Sequence, residues 1–465
     1  MFRNIFNTFA NCFKIPELKS RILFTLALLG ICRLMAYIVI PGVNGTALAS
    51  YFKENEQSNG GLLGMYNMFA GGAFGNCAIG ALGIMPYISA TIIIQLLTAV
   101  WPKLSKLARE EGGRTQIVKY GRYLTVLICL GQGVYFANSW EHPQTLYRGF
   151  QGSLVLISNP IWFLTQTTLI MTTGTLLLMW LGEQITDRGV GNGVSLVITI
   201  GIVARLPNAC LSLYQMFFPT GGMESDYHFM GTGVVLVLLM ILVIGGVIAI
   251  TQAQRKVPVQ YAQRAVGRKL YSGGTSFLPI RVNNANVMPI IFAQSILMFP
   301  APVCGWLADV AFRNVSFLQE FFREIALRLG YGSVVYLSIY GLMILFFSYF
   351  WNATTFNEIQ IADDMKKNGG YVPGVRPGQA TAEYLHNALS RLTLAGAIFL
   401  TIIAVIPIIM RNAMDIPSDV SNFFGGTSIL ITVGVLLDTM RQVESHLMMR
   451  HYDGFLKKGR LRGRF

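Results

Sequence analysis

Residues 60–100 read GGLLGMYNMFAGGAFGNCAIGALGIMPYISATIIIQLLTAV. No Asp, Glu, Lys or Arg stands between Glu56 and Lys103, so this stretch belongs in an apolar environment. It is about twice the ~20 residues that one helix needs to cross a bilayer. Its halves also differ. Six glycines fall between Gly64 and Gly83, and glycine weakens a helix while letting backbones approach closely. From Ile84 to Val100 the chain is rich in Ile, Leu and Thr and reads as a sound membrane helix. Broken backbone at membrane depth must be buried in protein or line a cavity, because lipid cannot satisfy loose peptide groups. A half-inserted element beside a full helix is therefore expected, with something passing or being blocked where the two meet.

The rest of the chain is of the same kind. Of its 465 residues, 53% are hydrophobic and only 12% charged, about half the charge fraction of soluble domains. Ten hydrophobic spans can be read, at about 21–40, 62–100 (a re-entrant piece plus one helix), 118–137, 158–180, 190–207, 232–252, 285–306, 332–352, 390–410 and 427–447. An even number puts both termini on one side. That side collects 27 of the 36 Lys and Arg residues, which makes it cytoplasmic by the positive-inside rule. Phe2, Ile5, Phe6, Phe9 and Phe13 recur at helical spacing before the first span and suggest an amphipathic helix on the cytoplasmic face.

Five spans fall in each half, residues 1–207 and 208–465. An odd number per half gives the halves opposite orientations, as in many transport folds. The fold class expected is an all-α polytopic membrane protein of ten transmembrane helices in two pseudo-symmetric inverted halves. Two cytoplasmic excursions, 253–284 and 353–389, are too long for connectors and too short for domains, and such loops are commonly functional. No acidic residue occurs between Asp226 and Asp309, so the first loop is purely basic. Alternation in Val257–Tyr261 and Lys269–Tyr271 suggests a hairpin. Together the loops read as a shared platform for an anionic partner, RNA or an acidic protein surface.

Chemistry is missing. The six cysteines are scattered, the five histidines lack ligand spacing, and no phosphate-binding loop occurs, so neither a metal nor a cofactor is expected and the chain is not read as an enzyme. Gly189, Gly191 and Gly193 lack the context of a nucleotide motif and read as a tight turn into a helix. The clearly intramembrane ionisable residues are Arg33, Asp438 and Arg441. Arg33 and Asp438 lie at similar depths, about twelve and eleven residues from opposite faces at ~1.5 Å per residue, so an Arg33–Asp438 pair and a local Asp438–Arg441 pair are equal alternatives. Neither makes a proton relay. A secondary solute transporter with inverted repeats is the competing class. It would need a polar site at the midplane, where this chain offers mostly Ile, Val and Gly.

The segment GMYNMFAGGAFGNCAIGALGIMPYISATIIIQLL closely resembles the plug and second-helix signature of the bacterial SecY family, central subunits of the protein-conducting channel. The likeness continues in MWLGEQITDRGVGNGVS, GRKLYSGGTSFLPIRVNNANVMPIIFAQSI, MKKNGGYVPGVRPGQATAEYL and FFGGTSILITVGVLLDTMRQVESHLMM. The resemblance implies a clamshell of spans 1–5 and 6–10 around an hourglass pore in the bacterial plasma membrane. Unfolded secretory chains would cross it and membrane helices would leave it sideways. By motif position the apolar pore ring would be Ile84, Ile88, Val194, Ile291 and Ile431. Many relatives have Ile where Val194 stands, which should loosen the ring slightly. Ile84 and Ile88 are i,i+4 and share a helix face.

The resemblance makes the plug about residues 65–77: Met65, Tyr66, Asn67, Met68, Phe69, Ala70, Gly71, Gly72, Ala73, Phe74, Gly75, Asn76 and Cys77. Its small residues are expected to let it seat and leave at little cost. Ser89, Gln132, Asn283 and Phe299 would lie at the lateral gate. Arg255, Lys256, Arg264, Arg268, Lys269 and Arg376 would engage the ribosome and the SecA motor ATPase. SecE, SecG, signal peptides, nascent chains and membrane lipids are the remaining partners implied.

Overall fold

The structure is a computed structural model, and it describes residues 15–54, 62–110, 112–143, 150, 152–157, 159–217, 228–261, 264–266, 269–271, 274–297, 300–308, 316–330, 332–414 and 427–458. The amphipathic pattern at Phe2–Phe13 lies outside them. The chain divides into two compact units: Met1–Gln215, Pro417–Asp419 and Ile431–Phe465 form one, and Met216–Ile416 with Val420–Leu430 the other.

The first unit runs α1 (Pro16–Leu34), α2 (Gly45–Glu54), α3 (Leu62–Phe69), α4 (Met85–Val100), α5 (Pro102–Arg109), α6 (Gly113–Glu141), α7 (Pro160–Arg188), α8 (Gly193–Val203) and α9 (Leu206–Phe217). Most of the last helix, Thr427–Lys458, belongs to it as well. Helix starts follow capping chemistry. Asn159 Oδ1 accepts from Trp162 N–H ahead of Pro160, and Asn192 Oδ1 accepts from Ser195 N–H at 3.2 Å to open α8.

Each of the ten hydrophobic spans coincides with a helix, but their forms differ. Among the described residues five stretches are long and apolar enough to cross a membrane on those grounds alone, and α4 with α5, bent by 104°, makes a sixth. The first span contains Arg33, and the helices through the first and third spans start in basic sequence, which lowers their mean apolarity. The seventh is divided between a ten-residue helix, Met288–Leu297, and a seven-residue one, Pro300–Trp306. Several hydroxyls within the spans fold back on their own helices. Thr125, Thr172 and Thr199 donate to the carbonyls four residues earlier, each at 2.8 Å, which satisfies them without a partner helix.

The tight turn expected at residues 189–193 is present, and it is pinned from two sides. Thr25 Oγ1 accepts from Val190 N–H at 3.1 Å, and Gln442 Oε1 accepts from Gly191 N–H at 2.9 Å. Gly193 is required here: a Cβ would fall 1.8 Å from the Gly182 carbonyl oxygen, so α7 and α8 meet backbone to backbone. Gly193→Ala is expected to force these helices apart. At a cost of about 1–3 kcal/mol for overpacking, the purified protein should melt several degrees lower; an unchanged melting temperature would contradict the close contact.

The second unit runs α10 (His228–Gln252), β1 (Gln254–Tyr261), β2 (Arg264–Val266), β3 (Lys269–Tyr271), β4 (Thr275–Arg281), α11 (Met288–Leu297), α12 (Pro300–Trp306), α13 (Ser316–Arg328), α14 (Val334–Thr355), α15 (Glu358–Lys367), β5 (Gly370–Tyr371) and α16 (Gln379–Met414), with the start of α17 (Thr427–Lys458). Helices α11, α14 and α16 hold together through aromatic and polar contacts. Phe292 meets Phe347 and Trp351 at 5.8 and 5.4 Å, and the buried Asn352 Nδ2 donates to Thr393 Oγ1 at 2.6 Å.

The hairpin expected in the loop at residues 253–284 has a different pairing. β1 pairs with β4, from Gln254 opposite Arg281 to Gln260 opposite Thr275, while the short β2–β3 pair is separate. The alternation in Thr275–Arg281, which ends on a buried Ile280, supplies the strand that completes the pair. β5, from the second loop, adds antiparallel to β1, so both loops share one sheet of order β4-β1-β5. Its buried face, Val257 and Ile280, packs with Val372, Leu385 and Leu389.

Candidate functional site

The helix of the glycine-rich stretch begins before the expected plug and ends inside it. α3 stops at Phe69, and residues 70–84 are turns until α4 starts. The stop has a physical cause, because Gly71 and Gly72 take φ of +64° and +88°, the left-handed region where helices end. This segment is sewn to the chain after α1. Ile40 N–H donates to the Cys77 carbonyl at 2.9 Å, Ile79 N–H to the Ile38 carbonyl at 2.9 Å, and Asn76 Nδ2 to the Ala36 carbonyl at 3.3 Å. Within the segment, Gly75 N–H donates to Asn67 Oδ1 at 2.9 Å.

Small residues form one face of the segment, with Ala36, Ala73 and Ala78 buried together. The other face is aromatic. Phe74 is completely buried, with ring centroids 5.1 Å from Tyr66, 5.0 Å from Phe136 and 6.1 Å from Trp140. Tyr66 Oη donates to the Leu82 carbonyl at 3.1 Å. Phe136 and Trp140, both on α6, escaped the sequence reading because an aromatic at helical spacing is indistinguishable there from ordinary core.

The two pairings open for Arg33 and Asp438 are resolved. Asp438 Oδ1 lies 3.9 Å from Arg441 Nη1, the local alternative. Arg33 Nη1 instead donates to the carbonyl of Gly71 at 2.9 Å. A narrow cavity beside this contact is lined by Arg33, Ala70, Ile84, Val197 and Gly201.

The ring candidates sit on both units. In the first, Ile84 and Ile88 are buried at the start of α4, Ile84 at the N-cap with φ −95° and ψ 0° so that the i,i+4 register survives. Val194 is half-buried in the first turn of α8, and Ile431 is fully buried on α17. In the second, Ile291 is buried on α11. Of the gate candidates, Ser89 on α4 and Gln132 on α6 belong to packed neighbours. Ser89 Oγ and Gln132 Oε1 are buried with no hydrogen-bond partner among the described residues, a costly state for a polar atom. Asn283 Nδ2 donates to the Asn286 carbonyl at 2.9 Å. Phe299 lies outside the described residues.

Of the basic candidates, Arg255 and Lys256 are exposed on β1, and Arg376 is exposed in the turn after β5. Tyr371 Oη donates to Gln260 Oε1 at 3.0 Å, a second tie between the two loops. Arg264 and Lys269 are placed on β2 and β3, and Arg268 lies outside the described residues. An ion pair the sequence did not reveal joins α6 to α7. Arg122 grips Glu183 with both Nε (3.1 Å) and Nη2 (2.8 Å); the residues are 61 apart in the chain, so no local spacing could signal it.

A sequence model of the SecY family matches residues 78–440. The chain belongs to the SecY family. Relatives include the protein translocase subunit SecY of Chlamydia muridarum, 41% identical over 98% of this chain and 99% of that one, and that of Escherichia coli K12, 41% identical over 96% of each. A solved structure of a protein-conducting channel superposes with a TM-score of 0.61 at 17% identity, covering 97% of this chain and 98% of that one. Another, of Sec61 in a canine ribosome-channel complex, gives 0.58 at the same identity and the same coverage. The family's fold is therefore this chain's fold: a multi-pass membrane protein of ten transmembrane helices in two inverted halves. The family model's match begins at Ala78, just past the plug candidates, whereas the full-length relatives extend across them.

Proposed function

We propose that this protein-conducting channel subunit is closed by the segment at residues 65–77 and by an apolar ring of Ile84, Ile88, Val194, Ile291 and Ile431. The observation carrying this reading is the buried, glycine-broken stretch seated on α1, α6 and α8 immediately before an apolar helix. Backbone broken in this way suits protein-lined space and not lipid. A constriction of branched apolar side chains excludes water and ions by dewetting, yet yields to a polypeptide without recognising its sequence. The halves 1–207 and 208–465 part to admit the chain, and Ser89, Gln132, Asn283 and Phe299 border the side exit for signal peptides and membrane helices.

The protein supplies no chemistry of its own, so energy comes from partners at the cytoplasmic sheet: a ribosome, or a motor ATPase such as SecA. A solved structure of like fold, Sec61 in a canine ribosome-channel complex, supports the first. Arg255, Lys256, Arg264, Arg268, Lys269 and Arg376 form the docking charge. Small membrane subunits, SecE and SecG, complete the channel in a bacterial plasma membrane with both termini cytoplasmic. Cross-linkers at Ile84, Ile291 and Ile431 should all label one stalled secretory chain. Labelling by lipid-facing positions instead, such as Leu238 on α10, would refute the ring.

A further inference from the structure

Arg33 is the only Lys, Arg, Asp or Glu between Arg21 and Lys53. A guanidinium in an apolar span is costly unless something accepts its protons. Its acceptor here is a backbone carbonyl, that of Gly71 at 2.9 Å, and its guanidinium carbon lies 5.6 Å from the Tyr37 ring centroid. The acceptor belongs to a turn shaped for this contact. Gly71 has φ +64°, and a Cβ there would fall 2.4 Å from Arg33 Nη1 and 2.9 Å from the Gly201 Cα. A second guanidinium flanks the same turn, since a Cβ on Gly72 would lie 3.9 Å from Arg205 Nη2. The glycine turn thus sits against α8 at Gly201 and against two arginines.

We propose that Arg33 is a positioning residue that latches the plug and sets how stringently the channel stays shut. The proposal rests on the plug reading above. The Arg33–Gly71 bond exists only while the turn is seated. In an empty open channel the guanidinium would lose its acceptor to water or an apolar wall. A polypeptide in the pore brings its own carbonyls and carboxylates, which can take over the guanidinium protons. The latch is therefore expensive to open on an empty channel and cheap to open around a substrate, so opening is coupled to the presence of a chain. Nothing covalent changes; one acceptor replaces another.

The test is the resting ion conductance of the purified complex, with its partner subunits, in planar bilayers. Arg33→Met keeps length and removes the donors; Arg33→Lys keeps the charge. A hydrogen bond to a charged group has an effect large enough that Arg33→Met should raise the open fraction roughly tenfold or more, with Arg33→Lys between it and the parent. In a channel lacking residues 65–75, Arg33→Met should add nothing. An unchanged resting conductance in Arg33→Met, where deleting the plug does open the channel, overturns the latch and leaves the plug reading standing. A full effect of Arg33→Met without the plug also overturns it. If deleting the plug itself changes nothing, the plug reading fails and the latch with it. Should Arg33→Met not assemble, Gly71→Ala carries the test. Its Cβ displaces the guanidinium, so the same tenfold rise is expected and no rise refutes the latch.

Discussion

Arg376→Glu is expected to abolish motor-driven export while leaving the protein folded. Arg376 is exposed at the start of the Arg376-Pro377-Gly378 turn, and Gly378 takes φ +104°. What the fold uses of this residue is its backbone: the Arg376 carbonyl accepts from Thr381 Oγ1 at 2.9 Å and so anchors the first turn of α16. Substitution leaves that bond in place. The side chain is exposed beside a sheet whose outer residues include Arg255 and Lys256, where the proposed partner would dock. Reversing the sign removes an attraction and adds a repulsion. At interfaces the loss of one partner of a close charge pair costs about 2–5 kcal/mol, roughly thirtyfold or more in affinity. ATP-dependent import of a precursor into vesicles should fall to background at an unchanged melting temperature. Near-normal import would remove Arg376 from the docking surface.

Phe74→Ala should produce a leaky channel. Phe74 has no exposed surface and is ringed by Tyr66, Phe136 and Trp140. Phe→Ala in a well-packed site costs about 3–5 kcal/mol. The loss falls mostly on the seated state, because the displaced segment no longer makes these contacts. A two-state seat would shift by roughly a hundredfold or more toward open. The expected readouts are frequent conductance in the absence of substrate and export of precursors with defective signals. A closed, selective Phe74→Ala channel would mean that the aromatic seat is not what holds the plug. Phe136→Ala should reproduce the leak from the α6 side. Arg33→Met and Phe74→Ala test different parts of one seat, a polar latch against α1 and an aromatic anchor against α6. Since the two share one segment, their effects should not simply add.

Much of this protein was legible in order of residues because the membrane imposes strong rules. Runs of apolar residues located the spans, since hydropathy depends on composition along the chain and not on what touches what. The break in residues 60–100 was legible for the same reason: six glycines and no charge can be seen without a partner. Alternation within residues 253–284 signalled strands but not their pairing. The β1–β4 register and the addition of β5 depend on residues about a hundred positions apart meeting at Gln260 and Tyr371.

The segment proposed as the plug shows the boundary most clearly. By itself the sequence determined that an uncharged, glycine-broken stretch precedes an apolar helix, and that Arg33 stands isolated in its span. It left Arg33 with two equal stories involving Asp438. Only the tertiary structure decided that Asp438 turns to Arg441 and that Arg33 turns to the Gly71 carbonyl. It likewise decided that Phe74, one more apolar residue in the sequence, is gripped by three aromatic rings. The physical reason is the same in each case. Hydrophobicity, charge and helix-breaking are properties of a residue, readable one at a time. A hydrogen bond to a backbone carbonyl 38 residues away, or a ring packed against another helix, is a property of a pair and exists only once the chain has folded.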